Sequence, residues 1–326
     1  MGVRPSKAEI STLIRRQLLA LALALATPAL AQPDRPIKLI VPVAPGGSQD
    51  IVARLFARHL GPVLGQNIVV ENHPGAGSNI GYEVGARARP DGLTLIAGSD
   101  SLSINQGLFR RLSFDPVEDF APIAQATAVP QILVVKADFP VGGFAEFVAK
   151  SRSTPLAVGT PGNGSLAHLM IELMQQATET RWTHAPYRGG ALAVNDLMGG
   201  SLQGVMINIG AVTQHVQSGR LRGLAVSTGT RTAALPEVPT LMEAGLANIA
   251  VAGWHGLVAP RATDPSIITR LNQAVAEVLR LPDLRERLAA LGIEAVDLPP
   301  EALAAKIRQD AARWAAVIQR TGMQPD

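Results

Sequence analysis

The sequence predicts an α/β fold with two lobes, each a mostly parallel sheet flanked by helices. Short apolar runs bounded by Gly and Pro alternate with amphipathic segments of helical period, a pattern typical of parallel strands joined by crossover helices. The alternation occurs twice, and two long extended stretches separate its two runs. Because 47% of the 326 residues are hydrophobic and none is Cys, a disordered chain, a disulfide-stapled domain and thiol chemistry are excluded.

The first alternation starts with the apolar run IKLIVPV at residues 37–43, which predicts a buried strand. An amphipathic helix follows and is expected to stop at Gly61-Pro62, because this pair favours the end of a helix. Two further apolar runs, at residues 68–71 and 93–98, predict the next two strands, with a short helix between them.

A Pro-punctuated, β-branched stretch at residues 121–141 is long enough to leave one sheet and enter another. The second alternation follows it, with strands predicted at residues 156–159, 204–208 and 221–228. A second extended stretch, at residues 249–260, can then carry the chain back to the first sheet.

These two crossings predict a first lobe of residues 32–130 and 256–326, and an inserted second lobe of residues 131–255. The C-terminal part is predicted to be helical, with Asp264 as an N-cap followed by Pro at the first helical position. The last long helix is expected to end before Gly322 and to place four apolar residues on one face: Leu303, Ile307, Trp314 and Ile318.

Residues 1–31 predict a secretory signal peptide, cleaved after Ala31. A basic start is followed by the apolar run LLALALALA, which is too short to cross a bilayer because a membrane-spanning helix needs about 20 residues. The pair Arg15-Arg16 leaves both the twin-arginine route and the ordinary secretion route open.

The formal net charge of +3 belongs to this segment, since four of the 29 Lys and Arg residues and one of the 26 acidic residues precede residue 32. The remainder of the chain carries equal numbers of each. With only 3 Trp, 2 Tyr and 7 Phe, and no basic cluster among them, nucleic acid is excluded as a partner.

Two glycine-rich turns, PGGS at residues 45–48 and PGNGS at residues 161–165, each follow an apolar strand and open a helix. Glycine lets a ligand approach the backbone, and the free N–H groups of a helix start attract anions, so the pair predicts an anion site between the lobes. Asp50 disfavours a highly charged phosphate there, and a carboxylate fits better. The alternative is that Ser48 and Ser165 are only N-caps.

Other chemistry finds weaker support. An exported hydrolase with Ser48 or Ser165 as nucleophile and His168 as base is the main alternative, although neither serine lies in a G-x-S-x-G sequence. The pair His168 and Glu172 alone approaches metal-ligand spacing and is better explained by a helix surface. Residues 75–81 miss the dinucleotide fingerprint by one position, so no cofactor is predicted. With the serine and His168–Glu172 patterns also weak, no metal site or catalytic residue is predicted either.

Four segments carry a family resemblance: residues 41–81, APYRGG at 185–190, ALPEVPTLMEAG at 234–245 and LRERLAALGIEAV at 284–296. They closely resemble the extracytoplasmic solute receptors of the tripartite tricarboxylate transporter system, the Bug or TctC family. The resemblance implies a monomeric, non-catalytic periplasmic receptor of the type II, Venus-flytrap fold. Such a receptor binds a small mono- or dicarboxylate and delivers it to membrane transporter subunits or signals to a sensor protein.

The resemblance also implies that the two turns hold the ligand carboxylate. Two departures from the family pattern, Val43 for an aromatic residue and Gln49 for a hydroxyl, suggest a roomier, more amide-like pocket floor. Asn208 replaces an acidic residue of many members, which argues against a ligand whose ammonium group needs a protein carboxylate. The predicted ligand-binding residues are Val43, Ala44, Gly46, Gly47, Ser48, Gln49, Asp50, Gly77, Ser99, Thr160, Gly162, Asn163, Gly164, Ser165, His168 and Asn208.

Overall fold

A computed structural model describes residues 35–325, so the predicted signal peptide lies outside the described residues. The strands are β1 Ile37–Val41, β2 Ile68–Asn72, β3 Thr94–Ser99, β4 Phe120–Lys136, β5 Ala157–Thr160, β6 Thr183–Pro186, β7 Gly204–Asn208, β8 Leu221–Val226, β9 Ala252–Pro260 and β10 Glu294–Leu298. The helices are α1 Ser48–Leu64, α2 Asn79–Ala86, α3 Ser101–Leu108, α4 Phe144–Ser153, α5 Leu166–Thr178, α6 Gly190–Gly199, α7 Thr213–Gln217, α8 Pro265–Val278, α9 Pro282–Ala290 and α10 Pro300–Thr321.

The long strand β4 belongs to two sheets. Its first part, up to Pro130, pairs with β9 and β10, and its last part, from Gln131, pairs with β7 and β8. The first sheet has the order β2-β1-β3-β9-β4-β10, and the second has the order β6-β5-β7-β4-β8. The Pro-punctuated stretch therefore leaves one sheet and enters another, as predicted.

Both sheets are mixed rather than mostly parallel as predicted, because β4 and β9, which carry the chain between the sheets, pair antiparallel with their neighbours. In the first sheet β2, β1 and β3 are parallel, and in the second β6, β5 and β7 are parallel. The carboxyl ends of parallel strands meet at one edge of a sheet, which is where open α/β sheets bind ligands. The turns that follow β1, β2 and β3 therefore share one edge, and those that follow β5 and β6 share another.

Helices cover both faces of the first sheet, as the side chains of β1 show. Ile37, Leu39 and Val41 join the core beneath α1 and α8, whereas Ile40 joins the core that contains Tyr82 of α2. In the second sheet α4 and α5 cover one face and α6 covers the other. The C-terminal helix α10 buries all four residues of its predicted apolar face and ends at Gly322 in the left-handed conformation.

The predicted end of the first helix is wrong, because α1 runs through Gly61-Pro62 to Leu64. Proline near the end of a helix removes only one backbone donor, and Gly61 offers no side chain for the proline ring to strike. The helix instead ends at Gly65, whose left-handed φ of 66° lets its N–H reach back to the carbonyl groups of residues 61 and 62.

Ser227 ties the two crossings together. The backbone amide of Gln131 donates to the Ser227 hydroxyl at 3.0 Å, and this hydroxyl donates to the Val251 carbonyl at 2.5 Å. The Ser227 carbonyl also accepts from the Val251 amide at 2.7 Å. The point where β4 changes sheets thus lies beside the return of the chain into β9, and both crossings form one hinge.

Among the helices of residues 35–325, none is both long and apolar enough to cross a membrane.

Gly256→Ala tests the pairing of the crossing strands. A Cβ there would lie 2.3 Å from the Ala124 carbonyl oxygen on β4, so the free energy of unfolding should fall by about 3 kcal/mol. Urea unfolding followed by circular dichroism measures this. The control is Gly199→Ala, where a Cβ meets no atom within 4 Å, and its effect should stay below about 1 kcal/mol. Equal effects of the two changes would contradict the prediction.

Candidate ligand-binding site

The first turn, between β1 and α1, is held from behind by Asp50. Its buried carboxylate accepts hydrogen bonds from the Gly46 amide at 2.9 Å, from Arg54 Nε at 3.0 Å and from Asn72 Nδ2 at 2.8 Å. Asn72 Nδ2 also donates to the Val43 carbonyl at 2.9 Å. Burial alone would raise the pKa of Asp50, but these partners outweigh it and hold the pKa below its usual value. Asp50 therefore shapes the turn with its charge already matched.

The start of α1 is left uncapped. Gly47 is the N-cap residue and has no side chain, and Ser48 is the first helical residue. The buried Ser48 hydroxyl finds no hydrogen-bond partner among residues 35–325. A Cβ added to Gly210, which follows β7 of the second sheet, would lie 3.4 Å from this hydroxyl. Ser48 is thus at the boundary between the two sheets, and the N-cap interpretation is wrong for it.

The second turn, after β5, is held by two histidines. Thr160 Oγ1 hydrogen-bonds with His184 Nε2 at 2.7 Å, and the Gly164 amide donates to His168 Nδ1 at 3.2 Å. The Ser165 hydroxyl accepts from the His168 amide at 3.2 Å and is therefore the N-cap of α5. The two glycine turns are thus built differently, since only the second one is capped by its serine.

The rings of His168 and His184 are stacked, with centroids 3.6 Å apart and planes 17° from parallel. Burial, and the neighbouring His168, lower the pKa of His184 to about 4. A proton on His184 would face a second imidazole at close range, so the neutral form of His184 fits this packing.

A third strand-to-helix turn, after β2, has an unusual backbone. Four consecutive residues have positive φ: Gly75 (125°), Ala76 (48°), Gly77 (60°) and Ser78 (81°). Asn105 of α3 donates to the Gly77 carbonyl at 2.7 Å and to Asn79 Oδ1 at 2.8 Å. Asn79 Nδ2, also buried, has no partner within the described chain. Strained backbone of this kind collects at functional sites, so this turn extends the candidate site.

Ser99 at the end of β3 belongs to a cluster of hydroxyls. Its Oγ lies 3.2 Å from the Tyr82 hydroxyl and 2.8 Å from Ser101 Oγ. Burial raises the pKa of Tyr82 to about 12, so the phenol stays protonated and can donate within the cluster. Gln49 is also buried here, and its Nε2 donates to the Ala97 carbonyl of β3 at 2.8 Å.

Asn208, at the end of β7, lies at the hinge, where its side chain accepts a hydrogen bond from Gln131 Nε2. Gln131 is 1% exposed, and its Oε1 has no partner in the part of the chain that the structure describes. Asn163 points elsewhere, because its Nδ2 donates to the carbonyl of Gln324 near the C-terminus. The predicted residues thus include hinge and outward-facing side chains as well as the two turns.

Sequence reasoning missed Asp100, which follows Ser99 at the end of β3 and supplies a carboxylate at this edge of the sheet. It also missed Gln131, and of the turn at residues 75–78 it predicted only Gly77. The signals were present, since Asp100 stands at a third strand-to-helix junction and Gln131 is a polar residue inside an apolar strand. Only the fold shows that all three lie at the edge between the sheets.

The serine geometry gives no support to a hydrolase. The His168 ring accepts from the Gly164 amide, and the Ser165 hydroxyl meets the His168 backbone rather than its ring. Ser48 has no hydrogen-bond partner within residues 35–325, which includes every described histidine. No group of three or more potential metal ligands occurs among these residues either.

Comparison with known proteins identifies the family. Residues 52–323 match the profile described as "Tripartite tricarboxylate transporter family receptor". The chain belongs to this family. It is also 37% identical to the protein BugT of Bordetella pertussis over 294 residues, which cover 89% of this chain and 90% of the relative. The predicted family is therefore confirmed.

Three solved structures are similar, each 32% identical, with 90% of this chain and 100% of the neighbour covered. They are the periplasmic binding protein BugD (TM-score 0.85), MatC from Rhodopseudomonas palustris with bound malate (0.82) and an R. palustris protein with adipate (0.86). The predicted two-lobed α/β fold of the periplasmic receptors is confirmed, and members of this family are solute receptors rather than enzymes.

Asp50→Asn tests the support of the first turn. Loss of the charge removes the ion pair with Arg54 and weakens the hydrogen bond from the Gly46 amide. The free energy of unfolding should therefore fall by about 2 kcal/mol at neutral pH. Because the pKa of Asp50 is lowered by folding, this stability is present at neutral pH and is lost as the pH falls below the carboxyl's ordinary value. Urea unfolding at neutral and acid pH measures both effects.

The control for Asp50→Asn is Asp138→Asn, which removes an exposed ion pair with Lys136 and should cost less than about 0.5 kcal/mol. An Asp50→Asn variant as stable as this control would show that the first turn does not need the Asp50 charge for its stability.

The histidine stack predicts acid sensitivity. The unfolded chain takes up a proton on His184 near pH 6.5 and the folded chain only near pH 4, so the free energy of unfolding should fall as the pH is lowered through this range. His184→Gln should make this fall shallower. His73→Gln, outside the stack, serves as the control, and an identical pH profile for wild type and His184→Gln would refute the prediction.

Proposed function

We propose that the protein is a periplasmic receptor that binds a small organic acid, a mono- or dicarboxylate, between its two sheets and delivers it to a membrane transporter. Membership of the receptor family supports this, as do the malate and adipate bound to two structural neighbours. The export implied by the predicted signal peptide agrees with this location. Delivery to transporter subunits, the alternative of a sensor partner, and the monomeric state remain predictions.

The observation that carries the proposal is the uncapped start of α1. A buried hydroxyl without a partner costs free energy unless something else supplies a hydrogen bond, and Ser48 has none within the described residues. The first amides of a helix also lack intrahelical acceptors and carry a partial positive charge. A carboxylate at Gly47 and Ser48 would accept from both kinds of donor.

The predicted binding residues divide into two proposed roles. Gly47, Ser48 and the turn at residues 161–165 would contact the ligand, because their backbone or hydroxyl groups lie at the edge between the sheets. The positioning residues would be those whose polar atoms already bond within the protein: Gly46, Gln49, Asp50, Ser99, Thr160 and His168.

Ligand capture would close the two lobes about the hinge. The change of partners after Pro130 supports the predicted boundary between residues 130 and 131. Since β9 pairs with the first sheet from Ala252 onward, we propose that the return crossing lies a few residues before the predicted boundary at 255 and 256.

Gly47→Val and Ser48→Ala test the site. The ligand is an acid that stabilises the wild type, such as succinate or adipate. Each substitution should lower the affinity for this acid about tenfold, Gly47→Val by blocking approach to the backbone and Ser48→Ala by removing a hydrogen-bond donor. A Cβ on Gly47 meets no atom closer than 3.7 Å and its φ is −73°, so the fold should tolerate valine. A thermal-shift screen followed by calorimetry measures binding.

Ser153→Ala is the control, because its hydroxyl bonds only the Lys150 carbonyl on the exposed surface of α4. Unchanged affinity in both Gly47→Val and Ser48→Ala would exclude the first turn as the carboxylate site. A flat thermal response of the wild type to every acid would reject the proposed function.

A further inference from the structure

Asp100 occupies the N-cap position of α3, yet its side chain makes no capping hydrogen bond. The carboxylate turns instead toward the start of β9, where Oδ1 lies 3.5 Å from the Trp254 amide. This distance is at the limit of a hydrogen bond, and no ion pair joins Asp100 to any cationic side chain of residues 35–325. Helix capping therefore does not account for an Asp side chain at this position.

Three parts of the chain converge beside Asp100. A Cβ placed on Gly253 would lie 3.0 Å from Asp100 Oδ1, 3.1 Å from Leu166 Cδ2 and 3.3 Å from Gln131 Nε2. Asp100 comes from the first sheet, Gln131 from the crossing strand and Leu166 from the first turn of α5. Asp100 therefore lies at the hinge, where the edges of the two sheets meet.

Two acceptors lie near this point, beside Gln131 Nε2, which already donates to Asn208. Gln131 Oε1 has no partner in the described part of the chain, although Gln131 is almost completely buried. From other residues Asp100 receives only the long bond from the Trp254 amide, and its own backbone amide is its other donor. A buried carboxylate and a buried amide oxygen attract a donor, and a positively charged donor satisfies both the hydrogen bonds and the charge.

The charges around Asp100 do not neutralise it. The pKa of Asp100 is raised to about 6, chiefly by burial and to a smaller extent by Asp310 on α10, although two backbone amides and Lys306 act to lower it. Lys306 already pairs with Asp310 at 2.8 Å. On β9, the neighbouring His255 has a pKa lowered by burial to about 4, so it is uncharged near neutral pH.

We propose that the ligand carries an ammonium group beside its carboxylate, and that Asp100 is the residue that selects it. This inference rests on the proposed function. The carboxylate of an amino acid would occupy the start of α1, and its ammonium group would donate to Asp100 and to Gln131 Oε1. Asp100 thus supplies the protein carboxylate that Asn208 does not.

The pH dependence separates the two ligand classes. An ammonium ligand binds the ionised form of Asp100, so its affinity falls as the pH is lowered through the pKa of this group. A plain carboxylate favours the protonated form, because two negative charges repel, and its affinity rises over the same range. The opposite signs make the comparison independent of absolute affinity.

Matched ligand pairs test the inference: L-aspartate with succinate, L-glutamate with glutarate, and L-leucine with 4-methylpentanoate. Calorimetry on the purified mature protein near neutral pH should show one amino acid binding at least about tenfold more tightly than its partner without the amine. Asp100→Asn should remove this preference, leaving the two members of the pair within about twofold. Asp100→Ser, which keeps a helix-capping side chain, replaces it if Asn impairs folding.

Asp310→Asn is the matched control. It removes a nearby carboxylate that pairs with Lys306 and raises the pKa of Asp100, so the preference for the amine should persist while its pH midpoint moves lower. A preference for the plain acids in wild type, or an amine preference that survives in Asp100→Asn, would overturn the inference and leave the proposed function intact. If no acid of either class binds, the proposed function itself fails.

Discussion

The exchange of partners along β4 is the constraint on which the rest of this structure depends. One continuous strand belongs to both sheets, and Pro130 and Gln131 stand where its pairing changes from β9 and β10 to β7 and β8. Ser227 joins this point to the return of the chain at Val251. Because the outer strands of both sheets are parallel, their carboxyl ends and the turns that follow are brought to the two edges on either side of this hinge.

Different residues fix the shape of the turns and offer polar atoms for contacts. Asp50, Thr160, His168 and His184 spend their polar atoms within the protein and fix the backbone of the two glycine turns. Ser48, Gln131 and Asn79 keep buried polar atoms without partners inside residues 35–325. A buried polar group left without a partner is costly, so these three atoms at the edges between the sheets support the proposed binding site.

Charge in this protein acts locally. The chain beyond residue 31 has equal numbers of acidic and basic side chains, so no formal net charge attracts an anion. In the site we propose, attraction comes from the uncapped start of α1, and discrimination from Asp100, a carboxylate with no ion-pair partner among the described residues. The first would favour a negative end of the ligand and the second a positive end.

The sequence by itself determined what depends on neighbouring residues. Local periodicity and capping chemistry predicted the alternation of strands and helices, the crossing stretch, the Asp264 cap and the apolar face of α10, and each is present. The short strand β6 and the passage of α1 through Pro62 escaped prediction, because packing outweighed local preference there. Only the tertiary structure decided which serine caps its helix, that Asn72 supports Asp50, and that Asp100 and Gln131 both lie beside Gly253. The last two arrangements join residues far apart in the chain, so no local pattern carries them.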